Sequence, residues 1–340
     1  MEKLKAFGNK IAEQFLLLIT LTKRHFLVFF KNWVTVIFTM MVPIIILAVY
    51  ILFLRDLELS SIRTALDGIE GLVDASRVKF ETQVSAIVDS WMISGVLAVS
   101  CVTVSLNTCY ILVRDKESGI NRDFISSPIP QKTIMFSYFF FNMFVTFLIN
   151  LLVLFICLIY LVAYGALMIS PLDFFAIIGV LLLSTLNASL LTFFICSFIN
   201  KDSVLSSIVA IASAAIGFLI GAYLPPNMLP DGVNALTTFF PGTYSAGLLR
   251  NYFMSTPIEK LISQPYVQAI EGLPEKIHEL QDGFTLNISF YDYQVTPGLM
   301  AVVILVFSAI FLVLNLIFTS KNLFKFTKKN KRRTHKKEGL

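Results

Sequence analysis

Six apolar runs, at residues 33–54, 91–113, 134–163, 174–199, 203–224 and 298–319, contain no Asp, Glu, Lys, Arg or His. Each is at or above the ~20 residues that a helix needs to cross a hydrocarbon core of about 30 Å. A lone charge at mid-bilayer costs at least ~2.5 to 3.5 kcal/mol, so runs of this length without one mark spans. The expected fold is an all-α membrane protein with six transmembrane helices.

The charges between the runs orient the chain. Lys3, Lys5, Lys10, Lys23, Arg24 and Lys31 precede the first run, Arg114, Lys116, Arg122 and Lys132 follow the second, Lys201 follows the fourth, and a basic tail follows the sixth. Most of the acidic residues fall in the alternate connections, 55–90 and 225–297. The bias of Lys and Arg toward the cytoplasm places both termini inside a plasma membrane and those two loops outside. The expected parts are an amino-terminal interfacial helix at 1–32, a six-span domain at 33–319 and a basic cytoplasmic tail at 320–340. Because the tail follows a span directly, contact with anionic membrane lipid is a better account of it than a nucleic-acid arm.

Residues 15–21 are too short for a secretory signal core and run into Thr22-Lys23-Arg24 without a small-residue cleavage site. Leu4, Phe7, Ile11, Phe15 and Leu18 instead recur at helical spacing, as in a helix lying in the membrane surface. Gly165, Ser170 and Pro171 predict a tight turn between spans 3 and 4. In loop 55–90, Phe80, Val84 and Ile87 suggest amphipathic helix; in loop 225–297, helical stretches are expected to break at Pro257, Pro265 and Pro274.

Two spans carry stripes of small residues. Ser94, Ala98, Cys101, Ser105 and Thr108 line one face of span 2; Ser206, Ala210, Ser213, Gly217 and Gly221 repeat the device in span 5 and end in a G-x-x-x-G pair. Such stripes permit close helix approach, either at an interface or pathway or in ordinary bundle packing. Spans 3 and 6 are bulkier and suit lipid. Span amides such as Asn107, Asn142, Asn150, Asn187 and Asn315 are expected to bond helices together.

No catalytic or metal-ligating constellation is present: His25, His278 and His335 are isolated, no H-E-x-x-H or paired-Cys motif occurs, and Cys101, Cys109, Cys157 and Cys196 all fall in spans as small packing residues. There is no G-x-x-x-x-G-K-[ST] phosphate loop either, so any use of ATP and Mg falls to a partner. The connection 114–128 offers that partner a place to push. It is short and charged, carries apolar Ile120, Phe124 and Ile125, and ends at Pro128 and Pro130.

This stretch resembles that of the type-2 ABC transporter permeases, the membrane subunits of ATP-binding-cassette exporters. Their pattern, close to D-[RK]-E-x-G-T-x-x-x-L-L-x-[ST]-P, is matched by Asp115, Lys116, Glu117, Gly119, Phe124, Ile125, Ser127 and Pro128; Ile120 and Asn121 depart from it. A second likeness follows span 5, where Pro241-Gly242-Thr243-Tyr244 and Leu249-Arg250 resemble the family's re-entrant segment. The resemblance implies a separate ATPase subunit and a second permease, a coupling helix in which Glu117 touches the ATPase and Gly119 allows close approach, and a re-entrant helix anchored by Arg250. The large outer loops suit an exporter of amphipathic drugs, antimicrobial peptides or lipids. A competing class is a membrane-embedded enzyme or scaffold of lipid or cell-envelope synthesis.

Overall fold

The computed structural model describes residues 2–66, 74–223, 236–270, 277, 288–290 and 293–319. Among them are six helices long and apolar enough to cross a membrane: Trp33–Leu57, Lys79–Glu117, Gln131–Ala163, Pro171–Ser197, Asp202–Leu219 and Pro297–Thr319, here spans 1 to 6. A 30-residue amino-terminal helix, Glu2–Lys31, precedes them and is interrupted at Asn32. The tail 320–340 and Pro274 lie outside the described residues.

Helix ends follow from local chemistry. Gly165 (φ 68°) and Gly221 (φ 68°) take the left-handed conformation that closes spans 3 and 5. In each case the following amide reaches back five residues: Ala166 N–H donates to Leu161 C=O and Ala222 N–H to Gly217 C=O, both at 2.8 Å. Gly221 therefore ends a helix and does not form a helix-crossing pair with Gly217, which is covered by the Tyr223 ring. Span 5 stops at Leu219, earlier than the apolar run predicts. Span 4 starts at Pro171, with the Ser170 hydroxyl accepting from the Asp173 amide at 3.2 Å. The turn expected between spans 3 and 4 is present.

The connection 55–90 is more helical than its charges suggest. Span 1 passes through a π-helical turn, Tyr50–Leu54, into Arg55–Leu66, and the second helix begins at Asp74 and runs unbroken to Thr108. Phe80, Val84 and Ile87 are buried on it. Pro257 does not break its helix but lies within Pro241–Ile262, whereas Pro265 begins a new short one. In the same loop, Ile288–Phe290 and Tyr293–Val295 pair as two short antiparallel strands.

Span 2 is the centre of the bundle and is almost wholly covered, whereas spans 1, 5 and 6 leave most of their surface to the surroundings. Amides and hydroxyls hold the centre together, as the sequence leads one to expect. Asn142 of span 3 accepts from Ser105 Oγ at 2.8 Å and donates to Thr108 Oγ1 at 2.6 Å; Ser100 donates to Asn150. Asn187 donates to Ser308 Oγ of span 6 at 3.0 Å, and Asn315 returns the bond to Leu190 C=O of span 4 at 2.8 Å. Asn107 bonds only within its own helix, to Thr103 C=O. Each such bond is worth roughly 0.6 to 2 kcal/mol between membrane helices.

One charge inside this bundle escapes the sequence pattern. Asp89, two residues before the second apolar run, is fully buried. Its Oδ1 accepts from Tyr50 Oη (3.0 Å), Arg55 Nε (2.9 Å) and Tyr160 Oη (2.9 Å), and its Oδ2 from Arg55 Nη2 (3.3 Å). The Arg55 guanidinium also lies over the Tyr164 ring, 4.9 Å from its centre. The π-helical turn puts Tyr50 and Arg55 on the face that reaches Asp89, and spans 1, 2 and 3 are thereby knotted at the end away from the amino-terminal helix. Removing the carboxylate strands a cation, a change worth ~3 to 5 kcal/mol, whereas deleting one tyrosine hydroxyl costs ~1 kcal/mol. Asp89→Ala should therefore lower the thermal unfolding temperature of purified protein in detergent far more than Tyr160→Phe does; equal shifts would contradict the knot.

Candidate functional site

Residues 114–128 follow span 2 without a long loop, and their geometry starts from one glycine. Gly119 has φ +82°, so the chain turns sharply from span 2 into a seven-residue helix, Ile120–Ser126. A Cβ there would meet only Arg122 Nε, at 3.9 Å. Backbone conformation, and not close approach of a neighbour, is what requires glycine here. Ser127 is extended and Pro130 precedes span 3, so the two prolines set its entry as expected.

Three of the charged residues before Gly119, Asp115, Lys116 and Glu117, each reach a different part of the bundle. Asp115 is 2% exposed. Its Oδ2 accepts from Arg24 Nη1 of the amino-terminal helix at 2.6 Å and from Tyr138 Oη of span 3 at 2.7 Å. Lys116 donates to three backbone carbonyls at the end of span 4: Ser197 (2.6 Å), Ile199 (2.8 Å) and Cys196 (3.2 Å). An ammonium has three donors and all are used, on the carbonyls that a helix C-terminus leaves open. Glu117 Oε2 accepts from the Asp202 amide at 2.9 Å. Lys201, at the start of span 5, supplies no side-chain cap, so Glu117 of another helix provides the anion that a helix N-terminus favours.

Arg24 brings further residues into the joint. Its Nη1 lies 3.2 Å from His25 Nδ1, and its guanidinium sits 5.2 Å from the centre of the Phe124 ring. His25 Nε2 is 3.1 Å from Ser137 Oγ, and the imidazole stacks on Tyr138 at 4.0 Å. An arginine can only donate, which makes Nδ1 the acceptor and leaves the ring proton on Nε2. Burial, with Arg24 adding repulsion, lowers the His25 pKa to about 3. The imidazole is therefore neutral at physiological pH.

The second stretch singled out by sequence lies at the far end of spans 2 and 5. Pro241–Ile262 is a helix whose first ten residues are all buried, packed on spans 2, 4 and 6. Each motif residue has a contact. Pro241 opens the helix, and Gly242 faces Ile220 so closely that a Cβ would come within 2.8 Å of its Cδ1. Thr243 Oγ1 donates toward Leu219 C=O (3.0 Å) and Thr237 C=O (2.6 Å), and Tyr244 Oη donates to Thr238 C=O (2.7 Å). Arg250 Nη2 donates to Gly221 C=O at 2.5 Å, with its guanidinium 5.0 Å from the centre of the Trp91 ring. Arg250 thus joins the end of span 5 to the top of span 2.

These two joints lie at opposite ends of spans 2 and 5, within the stretch that a family model matches. The family model for the ABC-2 type transporter matches residues 16–254, from the amino-terminal helix into the helix that carries Arg250. The chain belongs to the ABC-2 type transporter family. It is a multi-pass permease subunit of an ABC transporter, a transport component and not a catalytic enzyme. No curated protein matches the sequence.

In this ABC-2 permease the two small-residue stripes have different surroundings. Ser94, Ala98, Cys101, Ser105 and Thr108 are buried, and Cys101 and Ser105 face Thr185 and Thr192 of span 4. That face of span 2 is covered within this chain. On span 5 and the turn that ends it, Gly217 and Gly221 are buried, Ser213 is half-buried, and Ser206 and Ala210 are exposed, so the lower half of the stripe is uncovered. Sequence reading did not find His25, Tyr138 or Lys116 as a cap; it named Arg24 among the basic residues and Thr243 within its motif, but not their partners. Because the folded imidazole resists protonation, the folded state binds fewer protons than the unfolded chain below pH ~6.5, and stability is lost as the pH is lowered through that range. Between pH 7 and 5 the loss is ~2 kcal/mol from this group, and His25→Phe should flatten that part of the stability profile measured by thermal unfolding.

Proposed function

We propose that this permease exports an amphipathic cargo (a drug, an antimicrobial peptide or a lipid) across the plasma membrane, driven by ATP that a separate ATP-binding-cassette subunit hydrolyses with Mg. Both termini and residues 114–128 face the cytoplasm in this reading, from the Lys and Arg distribution. The observation that carries it is the two-sidedness of the coupling stretch. Ser118, Arg122, Asp123, Ser126 and Pro128 are exposed and form the face offered to the ATPase. The other side, through buried Asp115 and half-buried Lys116, is bonded to the amino-terminal helix, span 3 and span 4, and Glu117, itself exposed, reaches span 5 from the edge. Phe124 is half-buried under Arg24 and belongs to the transmitting side.

A push on the exposed face reaches the spans through short charge-assisted bonds, with Gly119 fixing the angle of delivery. Span 5 is the element to move, since little of this chain covers it and its two ends are gripped by Glu117 and Arg250. The uncovered Ser206 and Ala210 face, flanked by exposed Val204 and Ile211, suits a second permease or the conduit between the pair. The half-exposed Asn107 and Tyr110 on span 2 offer polar groups to the same conduit.

Affinity purification in mild detergent with an ATPase assay separates the two faces. Asp123→Arg with Pro128→Trp should lose a co-purifying ATP-binding-cassette subunit. Glu117→Gln should keep that subunit but lower cargo-stimulated ATPase about tenfold, the scale of one charge-assisted bond. A chain that purifies with no ATPase would overturn the exporter reading.

A further inference from the structure

We infer that a groove between the amino-terminal helix and span 3 is a binding site for an anionic phospholipid, with an acyl chain in the groove and the headgroup on Lys23. The groove has a volume of about 590 Å³. Phe15, Ile19, Lys23, Phe26 and Leu27 form one continuous stripe of the helix at spacings of three and four, and Phe140 of span 3 faces them. Phe15, Ile19, Leu27 and Phe140 are exposed, so this apolar wall is uncovered by the rest of the chain. Phe26 closes it by edge-on contacts to Phe141 (5.6 Å) and Phe144 (5.4 Å) of span 3. Phe140 is ~13 Å along the helix from Gln131, by the rise of 1.5 Å per residue, which puts the groove at acyl depth just inside the headgroups.

Lys23 decides the occupant. It is the one charged residue of the lining, and it is exposed. The ion pairs among the described residues are Arg24–Asp115 and Arg55–Asp89, so its neighbour Arg24 is committed inward while Lys23 has no acidic partner. Thr22, the other polar residue of the lining, turns its hydroxyl to Ser137 C=O at 3.5 Å. A lysine on a lipid-facing helix extends its ammonium to the headgroup region, where a phosphate of a negatively charged lipid completes the pairing. A neutral amphiphile or a second copy of the same apolar face supplies no such charge. Because the groove backs onto the helix that carries Arg24, its lipid also holds that helix against span 3.

The test is lipid quenching of fluorescence in vesicles, which needs neither cargo nor ATPase. Leu27→Trp, in a Trp33→Phe background, places a reporter in the groove, while Trp91 stays buried. Vesicles of mixed phosphatidylcholine and phosphatidylglycerol are used, with bromine on the acyl chains of one lipid or the other. The site predicts about fivefold preferential quenching by phosphatidylglycerol. Lys23→Gln should bring the preference to unity, and Lys23→Arg should keep it. Equal quenching by both lipids in the parent, or a preference unaltered by Lys23→Gln, would overturn the site. No quenching by either lipid would do the same, by showing that protein covers the groove.

Discussion

A carboxylate that is buried must be held, and Asp115 is held by two elements that precede and follow it in the chain. Arg24 and Tyr138 both bond its Oδ2, at 2.6 and 2.7 Å. Leaving it without Arg24 would strand a charge at a cost of several kcal/mol, so the pair fixes the amino-terminal helix against span 3. His25 and Phe124 then pack around the same guanidinium. The position of the coupling stretch, and the face it leaves exposed, follow from that one constraint.

The other charges inside the bundle obey a common rule: they sit at helix ends, where the backbone has groups to satisfy. Lys116 takes the open carbonyls that end span 4, Glu117 takes an open amide that begins span 5, and Arg250 takes Gly221 C=O where span 5 stops. Asp89, like Asp115, is instead satisfied by side chains, which it draws from spans 1 and 3. Mid-span cross-links are made by neutral amides and hydroxyls. Strong bonds at the ends and weak ones in the middle suit spans that transmit a push along their length.

Much of this was legible in the sequence because the bilayer imposes a simple rule. The vacancy of charge marked all six spans, and Gly165 with Ser170 and Pro171 marked the hairpin of spans 3 and 4. The motif residues pointed to the right stretches but not to their contacts. Glu117 reads as a free surface charge until the start of span 5 is placed against it, 85 residues away. Arg24 and Asp115 are separated by 91 residues, and neither carries a local pattern that names the other. Asp89 was assigned to a loop because charge alone drew the boundary, although helix with a buried face continued past it. The G-x-x-x-G of span 5 misled for the opposite reason: a glycine can serve packing or a left-handed turn, and spacing does not distinguish them.

The most direct measurement is a double-mutant cycle on Arg24→Ala and Asp115→Ala, with thermal unfolding of the purified chain as the readout. A charge-assisted pair at this joint predicts that the double variant is less destabilised than the sum of the singles, with a coupling energy of ~1.5 to 3 kcal/mol. Additive losses would mean that Asp115 does not depend on the amino-terminal helix, and the account of the coupling stretch built on that bond would be wrong.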